Sequence, residues 1–188
     1  VLALAAIGLN IHFGYTGLLN FGQAGFMAVG AYGVGVSVVT FDLPLWVGII
    51  IGLLAPVGLA ILLGFPTLRL RADYLAIVTI AAAEILRLTF GSVELVDTLG
   101  GSNGLTGFAG PYYELNPFTQ SLDLGFMSFT PNVLWSVLVG WTLVLICVLI
   151  TWLLMRSPWG RVLRSIREDE DAVRSLGKNV FAYKMQSL

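Results

Sequence analysis

From Val1 to Phe41 the chain carries no formal charge. A helix that crosses the hydrocarbon core of a bilayer needs about 20 apolar residues. The stretch is about twice that long, so it makes two crossings, or one crossing and a broken or re-entrant piece. The break is expected at Gly14-Tyr15-Thr16-Gly17, where two glycines lower helix stability. A second uncharged run, Asn132 to Met155, is long enough for a crossing by itself. Of the 188 residues only 11% are charged and 57% are hydrophobic, against about 25% charged in a soluble domain. So few charges cannot cover a soluble surface, and a bilayer is the solvent that accepts an apolar one.

The pattern gives spans at approximately 1–13, 17–39, 45–64, 74–90 and 132–155, all in one transmembrane domain. Asp42 and Pro44 mark a turn. In 45–64, Gly48, Gly52, Pro56, Ala60 and Gly64 recur every fourth residue, a face of small residues on which a neighbouring helix packs closely. Pro56 is expected to kink that helix. Phe65 to Asp73 reads as a short loop with Pro66, Arg69 and Arg71. Residues 91–131 form a long polar loop with Glu94, Asp97, Glu114 and Asp123, and with neither Lys nor Arg. Arg156, Arg161, Arg164, Arg167, Arg174, Lys178 and Lys184 crowd the stretch after the last span. The positive-inside rule puts this stretch in the cytoplasm and loop 91–131 outside. Parity then places Arg69 and Arg71 inside and Asp42 outside.

The net charge is −1, from 10 basic and 11 acidic residues, so no overall field attracts nucleic acid. The single Cys147 lies in an apolar run, cannot form an internal disulfide, and reads as a small buried hydrophobe. Val1 is preceded by no basic stretch, so no signal peptide is read, and Val180 to Leu188 look like a helix just starting. The expectation is a piece of a longer protein, truncated at both ends.

Ser157 to Lys178 is the densely charged stretch, and it reads as two short helices. Ser157 suits an N-cap with Pro158 at the first helical position, and Val162, Leu163 and Ile166 form an apolar strip. Glu168-Asp169-Glu170-Asp171 would interrupt that strip, and suits the start of a second helix, where carboxylates meet the positive dipole end. Ala172, Val173 and Leu176 are its apolar side, Glu170 and Arg174 an i,i+4 pair, and Gly177 its C-cap. The result is an amphipathic helix at the cytoplasmic surface, or a charged loop that merely satisfies the positive-inside rule.

Inside the spans, Asn10, His12, Thr16, Asn20 and Gln23 are polar. Thr16, Asn20 and Gln23 stand at i, i+4 and i+7, one helical face. Such groups need partners or a water-filled cavity. They fit an uncharged lining for a small polar solute, with glycines permitting local unwinding, and they fit interhelical hydrogen bonds that hold the bundle. Glu84 and Arg87 are three apart, hence on one face, near mid-bilayer by count. Intramembrane ionisable groups are functional candidates; a mutually neutralised pair, with Arg87 reaching the outer interface, is the plainer account.

Gly177-Lys178 is followed by Asn179, with Ala172 where a phosphate loop has its first glycine, so ATP binding of that kind is not expected. One Cys and one His make no metal set. No nucleophile–base pair is evident, and the chain does not read as an enzyme.

Four blocks occur in order: GYTGLLNFGQAGFMAVGAY (14–32), PTLRLRADYLAIVTIAAAEILRL (66–88), TLGGSNGLTG (98–107) and SPWGRVLRSIREDEDAVRSLGKNV (157–180). They resemble the LivM-type permease subunit of branched-chain amino acid ABC transporters, and the last block is the most specific. In such importers a permease loop carries a coupling helix with an E-A-A-x-x-x-G pattern, docked in a groove of the ATPase. Asp171-Ala172-Val173-Arg174-Ser175-Leu176-Gly177 is similar, with Asp for Glu and Val for the second Ala. The resemblance implies an all-α fold, a polytopic transmembrane helical bundle with a cytoplasmic coupling helix, in a bacterial cell membrane. It assigns ATPase coupling to Arg164, Arg167, Glu168, Asp169, Glu170, Asp171, Ala172, Arg174 and Gly177; the polar and ionisable residues within the spans offer Thr16, Asn20, Gln23 and Glu84 as candidates for the substrate pathway. It implies ABC ATPase subunits that bind the ATP, a second permease, an extracytoplasmic binding protein at loop 91–131, and no cofactor in this chain. The substrate would be Leu, Ile or Val, moved by alternating access. Relatives carrying urea, short amides or other amino acids, an ion-coupled secondary transporter using Glu84 or His12, and a purely structural subunit are the alternatives.

Overall fold

A computed structural model describes residues 1–68, 72–118, 120–123 and 128–188. Arg69 and Arg71, placed inside by parity, lie outside the described residues. The described chain is predominantly helical. Helix α1 (Leu2–Leu9) widens into a π turn over Asn10–Tyr15. After a non-helical stretch come α2 (Gln23–Val39), α3 (Leu45–Thr67) and α4 (Ala72–Phe90). The loop holds two short helices, α5 (Val96–Leu99) and α6 (Gly110–Glu114), and the two-residue strands β1 (Leu122–Asp123) and β2 (Ser128–Phe129), paired antiparallel. Helix α7 (Pro131–Arg156) leads into α8 (Pro158–Glu168), α9 (Glu170–Ser175) and α10 (Val180–Ser187).

Helices α3 and α7 have 23 and 26 residues and are long and apolar enough to cross a membrane. Only Met155, at its far end, is buried in α7. A helix apolar all round, with no face turned to a core, is one that lipid solvates. Helix α3 continues without a break through Pro56 and Pro66, so the expected loop at Phe65 starts later, after Thr67.

The small face of α3 is used by two partners. Helix α2 runs antiparallel to α3 over Gly48 and Gly52: a Cβ on Gly33 would lie 3.0 Å from Gly52 Cα, and one on Gly30 would lie 3.2 Å from Gly52 O. Further along, Gly64 meets Met185 and Leu188 beside α10. Helix α4 runs parallel to α2, with Gly22 against Thr79, Gly25 against Ala83, and the Tyr32 and Phe90 rings stacked at 4.0 Å.

The compact apolar core lies at the arginine-rich end. Met155, Leu163, Ile166, Val173 and Val180 bury one another, flanked by Ile11, Tyr15 and Tyr183. Leu18, Leu68 and Leu75 form a second cluster against Phe181, Met185 and Leu188 of the last helix and its end. Helices α8–α10 therefore close one end of the bundle.

Candidate functional site

The charged stretch folds as two helices that break at Asp169, whose extended φ of −153° interrupts the helical turn. Its side chain then accepts from Ala172 N at 2.9 Å and so caps α9. Ser157 occupies the expected cap position of α8, but its hydroxyl donates back to Leu154 O at 2.6 Å and caps nothing ahead. Gly177, at φ +75°, ends α9: its N–H reaches Arg174 O at 3.0 Å and that of Lys178 reaches Val173 O at 3.4 Å. This is a Schellman pattern, which needs a left-handed residue.

Helix α9 is held from below. Val173 is buried, and Lys184 of α10, itself buried, pairs with Glu170. Glu170 also meets Arg174 at 2.7 Å, the expected i,i+4 pair. The expected apolar side is divided. Val173 points into the core, whereas Ala172 faces outward and Leu176 is 80% exposed. Leu176 lies past the last helical residue, Ser175, as the C-cap of α9, so it is not held against the core with Val173. Asp171, Arg174 and Gly177 are exposed beside them.

Arg164 and Arg167 face the other way. Arg164 donates to Met155 O at 2.8 Å and lies over the Tyr15 ring at 5.4 Å. Arg167 donates to Gly14 O. These carbonyls lie at the ends of α7 and of the π turn, where helices leave acceptors unfilled and the dipole favours a cation. Glu168 joins both arginines, Gly14 and Tyr15 around a cavity of about 650 Å³.

The polar residues near the start are not arranged as expected. Thr16, Asn20 and Gln23 do not share a helical face, because Gly17 takes φ +73° and the chain is non-helical from 17 to 22. Thr16 instead donates to Ile11 O at 3.1 Å. Asn20, 2% exposed, accepts from Gly22 N at 2.9 Å, and its Nδ2 lies 3.4 Å from His12 Nδ1. Phe21 N donates to Thr79 Oγ1 at 3.2 Å, and that hydroxyl donates to Ala76 O at 3.0 Å. Thr79 thus anchors the unwound strand to α4, a role that no spacing in the sequence signals. Gln23 and His12 line a cavity of about 380 Å³ with Pro56 and Ala60, and Gln23 Oε1 is buried without a partner among the described residues. Asn10 is exposed and stands apart.

Glu84 belongs to a different cleft. It takes Arg87 Nε at 2.9 Å and Nη2 at 2.7 Å, and the two line about 810 Å³ of space between α2 and α4. The four expected pathway residues are therefore not brought together. Among the described residues no group of three His, Cys, Asp or Glu could hold a metal.

Apolar helices without a soluble exterior, an unwound polar strand between them and amphipathic helices across one end define a helical membrane transport component. The chain belongs to the branched-chain amino acid transport system / permease component family, whose model matches residues 1–188. It is 35% identical to the high-affinity branched-chain amino acid transport system permease protein LivM of Salmonella typhimurium, over 93% of this chain and 43% of that protein. The same figures hold for LivM of Escherichia coli. It is 25% identical to the nucleoside ABC transporter permease protein NupC of Lactococcus lactis, over 89% of this chain and 53% of that one. The chain thus spans about half the length of the curated relatives it matches. No solved structure matches.

Proposed function

We propose that this chain forms the membrane-spanning part of a permease subunit in an ATP-driven importer of branched-chain amino acids, placed in a bacterial inner membrane with α8–α10 in the cytoplasm. Separate ATPase subunits bind and hydrolyse the ATP, a second permease completes the pathway, and a soluble binding protein delivers substrate at the loop end. The observation that carries the reading is the split of α9, with Val173 buried and Leu176 80% exposed. A short helix clamped on one side, with an exposed leucine among polar groups on the other, is built to sit in another protein's groove. Asp169, Glu170 and Gly177 fix its ends and its seat; Asp171, Ala172 and Arg174 stand beside Leu176 on the outer surface. Arg164 and Arg167 then carry movement of α9 inward, through α8, to the ends of α7 and α1.

ATP closes the ATPase pair, α9 travels with it, and the spans change from one access state to the other. Only a difference in how the two states meet the ATPase can drive this. The test is uptake by vesicles holding the complete transporter, supplied with ATP and no ion gradient. Leucine accumulation is expected. Accumulation only under an ion gradient rejects the ABC reading in favour of a secondary transporter, and accumulation of a nucleoside instead of leucine rejects the substrate.

A further inference from the structure

The Glu84–Arg87 pair is fully formed and yet open. Its side chains are 54% and 67% exposed, respectively, on a helix of the bundle. Counting back from Phe90 at 1.5 Å per residue, Glu84 lies about 9 Å inside the end of α4. Ionised groups at that depth face water or protein and not lipid. The cleft they line, about 810 Å³, is within the roughly 300–1,000 Å³ range of small-molecule sites. Its other described lining residues are uncharged: Phe21, Tyr32, Ile80 and Phe90 give apolar and aromatic walls. Arg87 spends Nε and Nη2 on Glu84, and Nη1 makes no bond among the described residues. The guanidinium thus keeps an edge free for a second carboxylate, and each carboxylate oxygen of Glu84 keeps a lone pair.

We propose that this pair is a zwitterion-binding subsite of the permease. The ammonium of a branched-chain amino acid rests on Glu84, its carboxylate on the free Nη1/Nη2 edge of Arg87, and its side chain on the wall formed by Ile80, Phe90 and Tyr32. The four charges alternate in sign and sum to zero. A net-neutral ligand is admitted, while an amine or an acid alone leaves one charge unmatched. The inference rests on the proposed transport function and adds to it the place where the substrate is held.

The experiment uses the complete transporter in proteoliposomes, with the binding protein saturated by leucine, and measures leucine moved per ATP hydrolysed. In the double variant Glu84→Gln with Arg87→Gln, removal of two charges favours insertion, so assembly is preserved. The ratio is expected to fall about tenfold, the scale of one lost charge-assisted hydrogen bond, while stimulated ATP hydrolysis stays within about twofold of wild type. The swap Glu84→Arg with Arg87→Glu keeps the ion pair, inverts its polarity, and is expected to lose the ratio to a similar extent. A wild-type ratio in the double variant overturns the subsite. Loss of the second permease on co-purification overturns it as well, because the pair is then a contact between subunits. A wild-type transporter that moves no amino acid sinks the transport reading itself, whatever the variants do.

Discussion

Arg167 donates to the carbonyl oxygen of Gly14, 153 positions earlier in the chain. The bond joins the last turn of α8 to the end of the π turn, just before the left-handed Gly17. A Cβ on Gly17 would lie 3.2 Å from Arg167 Cγ, so the two segments also touch. Any tilt of α8 is felt first where α1 ends and the unwound strand starts. Arg167→Ala is expected to lower ATP-driven uptake on the order of tenfold, as loss of a charge-assisted bond does. ATP hydrolysis should persist. Arg167→Lys should recover part of the uptake, since it keeps a donor; equal uptake in all three proteins would refute the link.

Leu176 should matter to a partner and not to the fold. It is 80% exposed, so Leu176→Asp is expected to leave thermal unfolding unchanged. If it sits in an ATPase groove, burying the new carboxylate costs about 2 kcal/mol or more, roughly 30-fold in affinity. Pull-down of the ATPase subunits by purified permease reads this directly. Undiminished recovery would remove Leu176 from the interface.

Gly177 makes a conformational prediction. Nothing lies within 4 Å of the place a Cβ would take, and its φ is +75°. Gly177→Ala should therefore cost about 1–2 kcal/mol through backbone strain alone. Gly177→Asn should cost less, because Asn tolerates the left-handed region. Unfolding in detergent ranks the two; an alanine variant as stable as wild type would contradict the cap.

Thr79 is 0% exposed and holds Phe21 N. In Thr79→Val a part-buried N–H loses its acceptor, at about 1 kcal/mol. Thr79→Ser keeps the hydroxyl and should be near neutral. The same comparison in hydrogen exchange should show Phe21 losing protection only in the valine protein.

Much of the architecture was legible because bilayer burial writes long, simple signals. The runs that became α3 and α7 need only length and apolarity, and the two-helix reading of 157–177 needed only an interrupted strip and an acidic cluster. A break near Gly17 was legible from its glycines, but its extension over 17–22, within the span expected at 17–39, was not. Thr16, Asn20 and Gln23 have helical spacing by coincidence, and what decides against the helix is tertiary: Gly17 packed on Arg167, and Thr79 offering Phe21 an acceptor. The direction of Arg164 and Arg167 was hidden for the same reason. A basic residue on an amphipathic helix looks solvent-facing in sequence, and nothing there shows that Arg167 reaches the carbonyl of Gly14, 153 positions away, or Arg164 that of Met155 in the preceding helix. The division of α9 was hidden because Leu176 falls past the helix end at Ser175, and an apolar count does not fix where a helix ends.

The backbone contact of Gly33 with Gly52 has a mechanical consequence. Where two helices touch through glycines, neither has side chains that can re-mesh, so a small rotation opens a void or forces a clash. Helices α2 and α3 are therefore expected to move together in a conformational cycle. The flexing then falls on their borders: the strand from Gly17 to Gly22, and the turn at Asp42, whose φ of +49° is the sole positive value among the described non-glycine residues.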